Sequence, residues 1–244
     1  MTPLHFLQAR AIWPAFRILE AAMLRRMIFP ILMGIVGCAI LLGLGVWQLQ
    51  RMEWKAALLA GIDARIADAP VALPASPLPE DKYLPVAVTG SFTGRFIEVL
   101  SGQKGTSPGV RIIEAFRTDD GRQVMVDRGF LAEADRTLPR PPHAQEVTGN
   151  LHWPQDADSF TPPPDPRTGL WFARDVEAMA AKLGTEPVLI VARGPTGDGI
   201  APMPVDSSAI PNDHWGYAIT WFSLAAVWAV MTGYLLWRIR QRTI

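Results

Sequence analysis

Two uncharged apolar runs, Met27 to Leu49 and Trp215 to Trp237, constrain this chain more than any other feature it carries. Each meets the roughly 20 residues that a helix needs to cross about 30 Å of hydrocarbon. A cleaved signal peptide is the weaker reading of the first run. A signal's apolar region is only about 7–15 residues long, and this run ends in Trp47-Gln48-Leu49-Gln50-Arg51, without a small-residue cleavage pattern. An uncleaved anchor is expected. Orientation follows from the flanking basic residues. Arg10, Arg17, Arg25 and Arg26 precede the first run and Arg238, Arg240 and Arg242 follow the second, outnumbering Arg51 and Lys55 on the other side. Both termini are therefore expected in the cytoplasm, with the middle of the chain exported across a cell inner (plasma) membrane.

The rest of the 244 residues suffice for one further domain. A formal net charge of zero gives no reason to expect a nucleic-acid partner. The single cysteine, Cys38, lies inside the first apolar run, so a disulfide scaffold is excluded. The expected organisation is a basic segment over 1–26, a span over 27–49, an exported β-rich domain with its linkers over 50–214, a second span over 215–237 and a basic tail over 238–244. The opening stretch, with Pro14 in its middle, reads either as an interfacial helix or as an extension preceding a start at Met23 or Met27.

After the first span, Trp54, Leu58, Ile62 and Ile66 recur at helical spacing among charged residues, so the helix should continue until Ala69-Pro70. A Pro-rich linker runs to Pro79. From Tyr83 the pattern becomes that of strands. Pro85–Phe92 and Arg95–Ser101 are expected to pair around a turn at Thr93-Gly94. Val110–Thr118 and Arg122–Phe130 flank Asp119-Asp120-Gly121, a hairpin signal because glycine readily takes positive φ. Gln145–Trp153 reads as a strand followed by a Pro-rich loop. Val176, Met179, Ala180 and Leu183 mark one face of a short helix with Asp175 as N-cap and Gly184 as stop. Pro187–Arg193 is the last strand. The fold class expected is a membrane protein of α+β type, two transmembrane helices flanking one antiparallel β-rich domain.

Four stretches together resemble the Surfeit locus protein 1 family. They are Leu44-Gly45-Val46-Trp47-Gln48-Leu49-Gln50-Arg51 continuing to Trp54-Lys55, Val88-Thr89-Gly90-Ser91-Phe92, Val126-Asp127-Arg128-Gly129-Phe130, and Pro211 to Phe222 through Asn212-Asp213-His214-Trp215. The resemblance runs from the first span to the C-terminus and leaves out the first twenty or so residues. It departs at Asp213, where the family usually has a second asparagine before the histidine. The resemblance implies a cytochrome c oxidase assembly factor that is not an enzyme. The implied partners are the oxidase's haem-bearing catalytic subunit, haem a synthase and the lipid bilayer. The implied cofactor is haem a, held transiently with His214 as axial ligand of the haem iron.

Neutral imidazole is an ordinary ligand for haem iron. At the membrane surface it would leave the farnesyl tail of haem a in lipid and the propionates in water. Tyr217, Ala218 and Trp221 follow His214 at i+3, i+4 and i+7 and so share its face, where they would form an apolar wall. Asn212 or Asp213 is the expected acceptor for the imidazole N–H. The plainer reading is an interfacial histidine within an aromatic belt of Trp215, Tyr217 and Trp221. Arg51 suits either a haem propionate or a lipid headgroup. Arg128 suits either a partner contact or, more readily, an internal ion pair. His5, His143 and His152 form no close-spaced pair, and Asp119 and Asp120 are explained by turn chemistry. There is no nucleophile elbow, phosphate-cradling glycine loop or HExxH. Two rival readings are a cofactor-free membrane scaffold for oxidase assembly and a membrane-tethered periplasmic enzyme.

Overall fold

The computed structural model describes residues 5–102, 108–208 and 210–242, with side chains described from residue 25 onward. They form two units, Met1–Leu58 with Pro211–Ile244, and Leu59–Ile210. The opening basic segment lies outside the described residues at 1–4, and from 5 to 24 only its helical backbone is described.

The first unit rests on two long helices, α1 (His5–Ala67) and α3 (His214–Gln241). Both contain stretches long and apolar enough to cross a membrane. Most of their described large apolar side chains are exposed and none is fully buried, with Ile35, Ile40, Val227 and Val230 among the exposed. Such surfaces suit hydrocarbon, where the helix satisfies its own backbone hydrogen bonds. The helices pack antiparallel. Moving up α1, Gly34 meets Thr232, Gly37 meets Trp228 and Gly45 meets Phe222. A Cβ at any of the three would lie within 2.5 Å of the opposing side chain, so glycine is what allows the close approach. Between them Cys38 Sγ–H points to the Ala225 carbonyl at 3.9 Å.

The second unit begins with the last turns of α1, which continue past the span as the helical spacing requires. Its end is held from the sheet. The Arg193 guanidinium and the Asn150 amide both donate to the Ile66 carbonyl, and Arg193 Nε donates to Asn150 Oδ1 at 2.8 Å. These donors satisfy a carbonyl that the helix itself leaves free.

Six strands follow: β1 (Val71–Ala72), β2 (Pro85–Ser101), β3 (Gly109–Thr118), β4 (Gln123–Ala132), β5 (Ala144–Leu151) and β6 (Leu189–Ala192). Their order is β1-β2-β3-β4-β6-β5, and β5 pairs back onto β2. Five strands thus close into a ring, with β1 added along β2. The hairpin β3–β4 forms as expected, with Gly121 at φ 91°. Between β5 and β6 lies α2 (Val176–Leu183). Asp175 caps it by accepting from Ala178 N–H at 3.1 Å, and Gly184 ends it in the left-handed region at φ 64°.

Two expectations are corrected. Thr93-Gly94 is not a turn between paired strands, because β2 runs unbroken through it. Its first half pairs with both β3 and β5, and its second half continues along β3 after a register shift between Phe92 and Phe96. The irregularity is absorbed locally. Gly94 takes φ 77°, its N–H donates to Glu114 Oε1 at 2.9 Å, and Thr93 Oγ1 donates to the Ala115 carbonyl at 3.0 Å. Polar groups left unpaired by a bulge thus find partners on β3. The sheet is also not wholly antiparallel, since β1–β2 and β4–β6 are parallel. A parallel pair needs a long crossover, which β5, the Pro-rich loop and α2 supply.

The ring interior is filled by alternate residues: Val86, Val88 and Phe92 from β2, Val124 and Val126 from β4, and Val147 and Leu151 from β5. Phe92 meets Phe116 edge to face at 5.0 Å. The outer face of β2, β3 and β4 is covered by Met179, Ala180 and Leu183 of α2, packed on Ile97, Ile113 and Met125. Each such side chain contributes roughly 1.5–3 kcal/mol by leaving water.

Candidate functional site

His214 is the first residue of α3 and is half-buried. Its Nδ1 lies 2.8 Å from Oε1 of Gln48, on the facing side of α1. A carbonyl oxygen only accepts, so Nδ1 is the donor of this bond, and in the neutral imidazole Nε2 then keeps its lone pair. This is the arrangement commonly seen in metal-ligating histidines, where an acceptor on one nitrogen sets the tautomer at the other. The acceptor is therefore Gln48, and neither Asn212 nor Asp213 as the sequence suggested. Asp213 precedes the helix without a side-chain capping bond. Asn212 Oδ1 is buried with no hydrogen-bond partner, an acceptor left open beside the histidine.

Residues spaced like 214, 218, 221 and 225 form one stripe along α3. Ala218 and Ala225 on it are buried and Trp221 is half-buried. The His214 side of α3 is thus the side that packs. Tyr217 stands off the stripe and is 60% exposed. The expected wall of Tyr217, Ala218 and Trp221 is split accordingly: Ala218 is used in packing, and only Tyr217 and part of Trp221 remain accessible. Arg51 is exposed, with its guanidinium 4.5 Å from the Trp54 ring centre. It stands one turn beyond Gln48 on α1.

The donor set fits haem iron. An imidazole is an ordinary axial ligand for that iron, and Trp221 on α3 and Arg51 on α1 each lie within two turns of the His214–Gln48 pair along their helices. Among the described residues, no three His, Cys, Asp or Glu converge into a separate metal site.

Gln48 is the site residue that sequence reasoning missed. It lies inside the stretch quoted for the family resemblance, yet only the antiparallel register pairs it with a residue 166 positions away. The available hint was an amide among apolar neighbours at the end of a span.

Arg128 takes the internal role. It is fully buried, donating to Glu114 Oε2 and Asp198 Oδ2, each at 2.7 Å, and to Thr196 through both Nε and a terminal nitrogen. Its guanidinium also lies 4.4 Å from the Phe92 ring centre. Gly129, next in sequence, has φ 115°, and a Cβ there would lie 2.1 Å from the Ala201 carbonyl oxygen. The stretch Val126–Phe130 is therefore architectural. Asp127, also fully buried, faces Arg111 at 2.5 Å and Arg174 at 3.4 Å; burial pushes its carboxyl up while both arginines pull it down. His143 accompanies the Arg128 network, with Nε2 3.2 Å from the Thr196 carbonyl. His152 is partly buried against Tyr83.

A family model described as the SURF1 family matches residues 35–226, a range containing Gln48, Arg51 and His214. Over 218 residues the chain is 34% identical to a SURF1-like protein of Monosiga brevicollis, covering 79% of this chain and 82% of that protein. It is 29% identical over 220 residues to Surfeit locus protein 1 of Rattus norvegicus, covering 80% and 71%. Identity to Surfeit locus protein 1 of Homo sapiens is 30% over 215 residues, covering 75% and 70%.

Proposed function

Because this chain belongs to the SURF1 family, we propose that it is a cytochrome c oxidase biogenesis factor of the inner membrane that holds haem a at His214 and helps to insert it into the oxidase's catalytic subunit. The observation that carries the reading is the His214–Gln48 hydrogen bond at 2.8 Å, which in the neutral imidazole leaves Nε2 as the ligand nitrogen. In this reading His214 binds the iron and Gln48 orients the imidazole ring. Trp221 and Tyr217 would supply apolar contacts to the macrocycle, and Arg51 would be available to a propionate. When bound, the group supplies the redox-active iron that the oxidase requires. A single protein ligand suits a carrier, since release then breaks one coordinate bond. Residues 25–26 and 238–242 face the cytoplasm, the β-rich unit faces the periplasm, and haem a synthase is the donor. No turnover is involved.

The test is to express the full chain in cells that make haem a, purify it in detergent and record its absorption spectrum. Wild type should carry haem and His214→Ala should not. Equal haem content in the two would remove the ligand assignment.

One observation favours a second reading. The same hydrogen bond ties α1 to α3 beside the buried Ala218, so His214 also serves as a link between helices in a cofactor-free scaffold. Normal oxidase assembly with a His214→Gln chain, which keeps a hydrogen-bonding group towards Gln48, would favour that version, whereas the carrier reading requires assembly to fail.

A further inference from the structure

The paired helices leave two grooves of similar size on their surface. One, of about 500 Å³, is lined by Ile31, Ile35, Cys38, Leu42 and Leu236 among others and holds no charged residue. The other, of about 450 Å³, is lined by apolar and aromatic groups, including Phe29, Met33, Trp228 and Tyr234, and has Arg238 in its wall. Its indole is fixed in place, since Trp228 Nε1–H donates to the Met33 carbonyl at 3.4 Å.

More positive charge gathers at the same end. Arg25 and Arg26 stand one turn before Phe29 and Pro30, so they share those faces of α1, and Arg242 stands one turn beyond Arg238 on α3. The antiparallel register, with Gly34 against Thr232, brings the Arg25–Arg26 turn of α1 and the C-terminal end of α3 to one level. The sequence has no Asp or Glu from 25 to 52 or from 214 to 242, and the nearest acid before Arg25 on α1 is Glu20, more than a turn away. An apolar trough with one guanidinium in its wall, no carboxylate in its lining and further arginines near that end matches one kind of molecule. It has a long hydrocarbon chain and a phosphate, which arginine binds in bidentate fashion.

We propose that this groove is a binding site for one anionic phospholipid, its acyl chain along Phe29, Met33 and Trp228 and its phosphate on Arg238 with Arg25 and Arg26. The site rests on the two helices being membrane spans and is independent of the haem assignment. The charge-free groove on the same pair lacks any partner for a headgroup and shows no such selectivity. A bound lipid of this kind would brace the C-terminal end of α3 against the Phe29–Gly34 stretch of α1, at the face opposite His214.

The test uses the full chain in mild detergent with equimolar phosphatidylglycerol and phosphatidylcholine of identical chains, read by native mass spectrometry. Wild type should retain phosphatidylglycerol in clear preference. Arg238→Gln should reduce that preference about fivefold, which corresponds to about 1 kcal/mol for one arginine at a membrane surface. Arg240→Gln serves as the control, since two residues along a helix place it on the opposite face and outside the groove. Equal retention of both lipids by wild type would overturn the proposal. So would an equal fall for Arg238→Gln and Arg240→Gln, because the charge would then act diffusely and the groove would have no part in it.

Discussion

At the scale of single residues, the imidazoles of this chain are sorted by their surroundings. His214 has a carbonyl acceptor on one nitrogen and, among the described residues, no hydrogen bond on the other. If Gln48 orients the ring, Gln48→Leu should weaken haem retention by about 10–100-fold, the usual cost of losing such a supporting partner. Haem titration of the purified full chain would measure this, and unchanged affinity would show that the amide has no such role. His152 is governed instead by burial, which together with the charges of Lys82 and Arg174 pulls its imidazole down to about 4. The folded chain therefore leaves it neutral between pH 6.5 and 4, whereas the unfolded chain protonates it. Its contribution to stability is complete above pH 6.5 and is lost as pH falls towards 4. Asp127, whose carboxyl is raised by burial, acts in the opposite sense, so the measurement is a difference. The gap in Tm between wild type and His152→Asn should narrow as pH falls from 6.5 to 4, and parallel curves would contradict the assignment. Arg128 shows how far a residue's role was legible. An internal ion pair was foreseeable from a charge in a strand, but its partners Glu114 and Asp198 lie 14 and 70 positions away and come together only on folding.

At the scale of elements, local rules served well wherever the determining residues are neighbours. The cap of α2, its left-handed stop and the Asp119-Asp120-Gly121 hairpin all depend on groups within a few positions. Thr93-Gly94 misled because its glycine does adopt positive φ, as a turn would require, yet Glu114 of the adjacent strand satisfies the freed N–H and the strand continues. The packing of α1 on α3 belongs to this scale as well. Since Cys38 Sγ lies 3.9 Å from the Ala225 carbonyl, Ala225→Cys should form a disulfide with Cys38 under mild oxidation in the full chain. Adding Gly37→Leu should abolish it, because a side chain at 37 collides with the Trp228 indole. Cross-linking that persists with the bulky residue in place would show that the helices do not depend on the glycine contact. Non-reducing electrophoresis after cutting the chain between the helices distinguishes these outcomes.

At the scale of the whole molecule, the antiparallel pair places Arg25, Arg26 and the arginines after residue 237 at one end, consistent with the basic flanks that set orientation. With Thr161→Cys in the Pro-rich loop, a membrane-impermeant thiol reagent applied to whole cells should label the chain. With Arg26→Cys it should label only after the membrane is opened, and the reverse pattern would invert the proposed topology. The two membrane helices, the capped α2, the β3–β4 hairpin and the family resemblance could all be read from the sequence. Each depends on solvent transfer of contiguous side chains, on hydrogen bonds within a few residues, or on ordered short motifs. Closure of β5 onto β2, the parallel pairing of β4 with β6, the partners of Arg128 and the hydrogen bond from His214 to Gln48 were decided only by tertiary structure. They join groups far apart along the chain, and no local preference encodes which distant group will be adjacent once apolar surface has been buried.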